Sequence, residues 1–127
     1  MRRALIVGNW KMNGTLEDTL KTITELRHKL PETTAAEVVV APPFTALYTA
    51  HVALQETTIR LAAQNMHWET DGPFTGEVSG VFLKDAGCSF VLLGHSERRQ
   101  HFGETDEAVN RKAVTALALE LTPVVCI

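Results

Sequence analysis

Two short stretches concentrate the residues able to do chemistry: Gly8-Asn9-Trp10-Lys11-Met12-Asn13-Gly14 and Gly94-His95-Ser96-Glu97-Arg98-Arg99. Each directly follows a short apolar run, where a buried strand would end. Lys11, two residues after Asn9, either supplies a fixed positive charge to an anionic substrate or is a solvated loop lysine. His95 stands straight after its strand, with Ser96 next as a candidate helix cap. At the positive end of a short helix an imidazolium is disfavoured and a neutral ring favoured. A neutral ring can donate a hydrogen bond to a carbonyl oxygen and polarise it. The plainer alternative is a histidine that caps and does no chemistry.

Gly-His-Ser-Glu-Arg also resembles the Gly-x-Ser-x-Gly elbow of serine hydrolases, with Ser96 as nucleophile. Arg98 stands where that elbow packs a glycine, and the one later histidine, His101, follows Ser96 by only five residues. Both count against a hydrolase. The glycine spacing after Val7 is wrong for a dinucleotide fingerprint, and no Gly-Lys-Ser/Thr occurs anywhere. His28, His51, His67 and His101 have no metal-binding spacing and read as surface or satisfied core groups.

Five short apolar runs, some of them rich in β-branched residues, must position these residues: 4–7, 37–41, 59–63, 90–93 and 123–127. They lack the alternation of a half-exposed sheet and read as parallel strands buried on both faces. Helices lie between them. Leu16, Leu20, Ile23, Leu26 and Leu30 form one apolar stripe, with Thr15 as cap, Glu17 and Asp18 in the first turn, and Pro31 at the end. After Pro42-Pro43, Phe44, Leu47 and Leu54 are expected inward. Residues 79–86 read as a helix, and so does the stretch from Thr105, burying Val109, Ala113 and Leu117. Strand–helix repetition of this kind makes an α/β parallel sheet with right-handed crossovers, either open and doubly wound or part of a closed barrel. In both, ligands bind at the carboxyl ends of the strands.

Length and charge set the outer bounds. The 127 residues form one domain, 45% apolar and 21% charged, with a net charge of −3. Its basic residues are scattered, which argues against nucleic acid as a partner. The apolar run after Arg2-Arg3 is too short for a secretory or membrane segment. Cys88 and Cys126 lie among apolar neighbours and read as buried small hydrophobes of a reducing compartment, which points to the cytoplasm.

Together, Gly8-Asn9-Trp10-Lys11-Met12-Asn13, Ala41-Pro42-Pro43, Ala63-Gln64-Asn65, Phe74-Thr75-Gly76-Glu77 and Leu93-Gly94-His95-Ser96-Glu97-Arg98-Arg99 closely resemble triosephosphate isomerases, in register along the whole chain. The resemblance implies a TIM barrel and interconversion of dihydroxyacetone phosphate and glyceraldehyde 3-phosphate through an enediol(ate), without a cofactor. It implies that Asn9 and Lys11 bind substrate, and that His95 polarises the carbonyl and shuttles protons as the family's neutral electrophile. Glu97 corresponds to the site glutamate beside the lysine; its plainer alternative is a surface ion pair with Arg98 or Arg99. Ser96 would neighbour the catalytic base, and Cys126 would lie just behind the site. The long loop 65–79 would reach into the other subunit of a homodimer. Thr75, Gly76, Glu77, Met12 and Gln64 would lie at that interface, with Met66 and Trp68 either there or in the core.

A complete barrel of this kind has eight strands and about 250 residues. The family's catalytic glutamate, lid and phosphate-gripping loops belong to its second half, and no residue here matches them. The expected fold is therefore a parallel (β/α)8 barrel truncated after the fifth strand, its inward faces meeting water, and a fragment inactive alone. A non-catalytic half-barrel that associates with itself is the alternative.

Overall fold

The computed structural model describes residues 2–127. Five strands, β1 (Leu5–Asn9), β2 (Glu37–Ala41), β3 (Arg60–Ala63), β4 (Phe90–Leu93) and β5 (Thr122–Val125), pair in parallel and in sequence order. Helices α1 (Leu16–Lys29), α2 (Leu47–Ala53), α3 (Gly80–Ala86), α4 (Ser96–Phe102) and α5 (Asp106–Ala118) fill the crossovers. The strands form a curled half-barrel of the TIM type. Register sets Asn9 beside Ala41 and Leu93 beside Val125, so the carboxyl ends of the strands share one rim.

Alternation along the strands divides the core in two. Val40, Leu61, Ala63, Val91 and Leu93 pack outward with Ile23, Leu47, Leu83 and Val109 from the helices. Val39, Ala41, Ala62, Phe90 and Leu92 form a second cluster on the concave face. These concave residues are buried, which corrects the expectation that the inward faces meet water. The curl brings them into contact with one another, with Val7 of β1 and Val124 of β5 partly buried against them at the two margins.

α1 begins with a capping box: the Asp18 N–H donates to Thr15 Oγ1, and the Thr15 N–H donates back to the Asp18 carboxylate. Its apolar stripe is only partly covered. Ile23 is 1% exposed, whereas Leu16 is 51% exposed. Two inward assignments also change. Phe44 lies exposed in a 3-10 turn (Phe44–Ala46) ahead of α2. On α5 the buried face runs through Val109, Lys112 and Ala116, and Leu117 faces solvent.

Ile23→Ala is expected to cost about 2–5 kcal/mol through loss of a buried side chain and the cavity left behind. Leu16→Ala is expected to stay within about 0.5 kcal/mol. Urea unfolding midpoints of the two variants distinguish them.

Candidate functional site

Parallel order carries the ends of β1 and β4 to the same rim, and two irregular segments grow from those ends. After β1, the Trp10 N–H donates to Ala41 O, which pulls the segment over the end of β2. Lys11 then turns into the left-handed region at φ 57, a conformation that disfavours a residue bearing a Cβ. Side chains hold it there from both sides. Its N–H donates to Asn9 Oδ1 at 2.9 Å, and Gln64 Nε2 donates to its carbonyl at 2.8 Å and to Ala41 O at 2.8 Å. Gln64, which the resemblance assigns to a subunit interface, thus uses its amide inside its own chain.

After β4, Gly94 takes φ 68 and His95 caps α4. The cap is therefore His95, not Ser96: His95 Nδ1 accepts the Glu97 N–H at 3.1 Å. With Nδ1 turned to the backbone N–H as acceptor, Nε2 is the ring nitrogen left to donate. Glu97 Oε2 lies 3.7 Å from Nδ1, too far for a hydrogen bond. Ser96 is exposed at the start of α4, and among the described residues no hydrogen bond joins it to a histidine.

Glu97 Oε1 pairs with Lys11 Nζ at 2.6 Å. Arg98 and Arg99 are taken elsewhere, by Glu104 at 3.0 Å and Asp106 at 2.6 Å. The Lys11 ammonium holds the Glu97 carboxyl below the usual carboxylate range, against a smaller opposing effect of desolvation. Both partners are substantially exposed, so the pair fixes the place of a charge more than it stabilises the fold. Lys11, Glu97 and His95 thus meet at one rim. Among the described residues they leave two ammonium hydrogens and the His95 Nε2 side without a partner, able to bind an oxygen that gains negative charge.

Beneath this rim lies a buried network that sequence reasoning missed. Glu104, its side chain 3% exposed, accepts the Gly94 N–H at 2.9 Å, Arg98 Nε at 3.0 Å and Lys112 Nζ at 2.6 Å. Lys112, its side chain 5% exposed, also donates to Asn65 Oδ1 at 2.9 Å. One signal was present: Lys112 falls at helical spacing between Val109 and Ala116, and a lysine on a buried face requires a partner. Burial pushes the Glu104 carboxyl up, but hydrogen bonds and charge from Lys112 and Arg98 outweigh it and hold the group below its ordinary value.

The remaining predicted residues lie away from this centre or at its edge. Cys126 is half-buried, not fully buried as expected; its N–H donates to Leu93 O, and burial raises its thiol while Arg99 opposes. Cys88 is buried, its thiol pushed up to about 12 by desolvation. Met12 is 94% exposed, and Thr75, Gly76 and Glu77 are exposed at the tip of the loop. Met66 belongs to the core, and Trp68 is half-buried beneath the Arg111 guanidinium. His67 is not a satisfied core group: its ring is buried between Trp68 and Phe74, and Nε2 has no partner among the described residues. No group of three or more His, Cys, Asp or Glu among the described residues is placed to hold a metal ion. No helix among them is long and apolar enough to cross a membrane. A cavity of about 500 Å³ lies at the opposite, amino-terminal end of the strands, among Leu30, Val38, Thr57 and Ile59. It holds none of the site residues.

Residues 4–127 match the family model described as triosephosphate isomerase. Similar proteins include the triosephosphate isomerases of Alkaliphilus metalliredigens, 54% identical over 127 residues, and Pelobacter propionicus, 53% identical over 127 residues. That of Moorella thermoacetica is 51% identical over the same length. Each match takes in 100% of this chain and 51% of the other protein, so the chain spans about half the length of the curated relatives it matches.

A group whose folded-state value is lowered stabilises the fold above its ordinary value and loses that contribution as pH falls through the folded one. For Glu104, ordinarily at 4.5, stability should therefore be full near neutrality and fall below about pH 4.5. Glu104→Gln leaves Lys112 and Arg98 without their counter-charge. It is expected to cost about 3–5 kcal/mol at pH 7, with a smaller penalty in acid, read from urea unfolding at several pH values.

Proposed function

The chain belongs to the triosephosphate isomerase family, and from that premise we propose that it carries the electrophilic side of a site that interconverts dihydroxyacetone phosphate and glyceraldehyde 3-phosphate through an enediol(ate). One observation carries the reading. Lys11, Glu97 and His95 converge at the strand ends, with Lys11 Nζ 2.6 Å from Glu97 Oε1 and the Glu97 N–H on His95 Nδ1.

Removing a proton from the carbon beside a carbonyl pushes charge onto the carbonyl oxygen. In this reading the His95 Nε2–H donates to that oxygen and moves a proton between the two oxygens of the enediolate. Lys11 supplies a cation to the phosphorylated substrate and to the developing charge. Glu97, held ionised by Lys11, keeps the ammonium over the site. Asn9 spends its Oδ1 on the Lys11 N–H and keeps its amide hydrogens for substrate. Ser96 neighbours the base of the full-length enzyme, and Cys126 backs the end of β5. No residue of this chain matches the family's catalytic glutamate, so the chain by itself binds substrate without turning it over.

The same reading makes the exposed tip of loop 65–79 a homodimer contact. Thr75 approaches the neighbouring site, and Met12, Gly76, Glu77 and the Gln64 segment lie at the interface. The exposure of Met12, Tyr48 and Phe82 supports an apolar contact surface. The setting is cytoplasmic sugar-phosphate metabolism.

Titration of the isotope-labelled chain with dihydroxyacetone phosphate is expected to shift the amide signals of Lys11, His95 and Glu97 together. Lys11→Met should weaken that binding about 10- to 100-fold, the worth of one charge-assisted hydrogen bond. Unchanged affinity contradicts the assignment. The 127-residue chain is expected to give no measurable isomerisation in a coupled assay, and turnover there would show that it holds a base of its own. In an enzyme completed to the length of its relatives, His95→Gln should lower kcat about 10²- to 10⁴-fold, with KM moving far less.

A further inference from the structure

The direction of the His95 ring depends on the peptide that precedes it, and Gly94 is the pivot. It sits one residue beyond β4 at φ 68, and a Cβ there would lie 2.8 Å from Arg99 Nη2 and 2.9 Å from Val109 Cγ2. Its N–H is held by Glu104. Its carbonyl lies past the end of the strand and accepts Arg99 Nε at 2.8 Å. The same guanidinium donates through Nη2 to Cys126 O at 3.3 Å and pairs through Nη1 with Asp106 at 2.6 Å. One planar fork therefore references the Gly94 carbonyl to the end of β5 and the start of α5 at once.

We propose that Arg99 is a positioning residue for His95: it fixes the Gly94 carbonyl so that the imidazole meets the first turn of α4 with Nδ1 as acceptor. This rests on the functional reading of His95 given above. Stabilisation alone does not account for the arrangement. The Asp106 side chain is 94% exposed, and an ion pair with so solvated a partner contributes little to folding. The part of the side chain that reaches the site is Nε, on the Gly94 carbonyl. Without the Nε donor, the Gly94 carbonyl loses the side-chain anchor it has among the described residues. The peptide that aims His95 can then rotate, and the ring no longer meets the Glu97 N–H in a single tautomer.

Two variants separate the donor from the charge. Arg99→Gln places an amide N–H donor where Arg99 Nε stood and deletes the fork that reaches Asp106 and Cys126. Arg99→Met fills similar space with no donor. The readout is the pair of His95 ring-nitrogen signals in long-range proton–nitrogen NMR of the labelled chain near neutral pH, with unfolding midpoints recorded in parallel. Wild type and Arg99→Gln are expected to show one tautomer, Nδ1 bare and Nε2 protonated. Arg99→Met is expected to lose it and give averaged signals from both tautomers. A folded Arg99→Met with the single tautomer intact overturns the proposal. So does a folded Arg99→Gln that loses it, an outcome that decides the matter even where Arg99→Met does not fold. The measurement needs no substrate. Its failure therefore leaves the isomerase reading standing, and a chain that binds no triose phosphate leaves this result untouched.

Discussion

Parallel pairing in sequence order is the constraint from which the rest of the site follows. Each strand of this sheet points the same way, so each carboxyl end arrives at one rim and each connection must return over the outer face. The rim then collects whatever the strand ends carry: Asn9 and Lys11 from β1, Gln64 from β3, His95 and Glu97 from the end of β4. None of these residues is near another in sequence except within its own segment. Their meeting at 2.6 Å between Lys11 and Glu97 is a property of the sheet.

Once at the rim, each segment turns through a left-handed residue, and polar side chains hold it. Lys11 is left-handed, with Asn9 on its N–H and Gln64 on its carbonyl. Gly94 is left-handed, with Glu104 on its N–H and Arg99 on its carbonyl. The two arrangements share a logic: both polar groups of one left-handed residue are fixed, and the side chain proposed to act is carried by that residue or the next. The costliest part is Glu104 with Lys112, two charges taken out of water that are tolerable only because every strong donor nearby is paired. Such a network repays its desolvation in geometry, holding the start of α4 against the end of β4.

Much of this was legible in the residues themselves. The strands announced themselves by short apolar runs, and the start of α1 by Thr15 as cap with Glu17 and Asp18 in its first turn. Lys11 and His95 drew notice because charge and imidazole directly followed apolar runs. What could not be read was anything set by partners distant in sequence. The helical stripe of α1 runs from Leu16 to Leu30, but which leucines are covered depends on what lies against them, and Leu16 and Leu20 remain exposed. The same limit hid Glu104, whose three donors come from 94, 98 and 112. The concave face illustrates the limit in the other direction. Counting strands suggested wet inward side chains, whereas curvature, invisible to a count, packs Val39, Ala62 and Phe90 against one another.

The central claim is that the ends of β1 and β4 present their donors to one small anion. A crystal structure of the chain grown with dihydroxyacetone phosphate examines it most directly. The account predicts a single bound molecule with an oxygen within hydrogen-bond distance of His95 Nε2 and another within reach of Lys11 Nζ, Glu97 still paired to that ammonium. A triose phosphate bound elsewhere, or touching one of the two side chains and leaving the other in solvent, would contradict it.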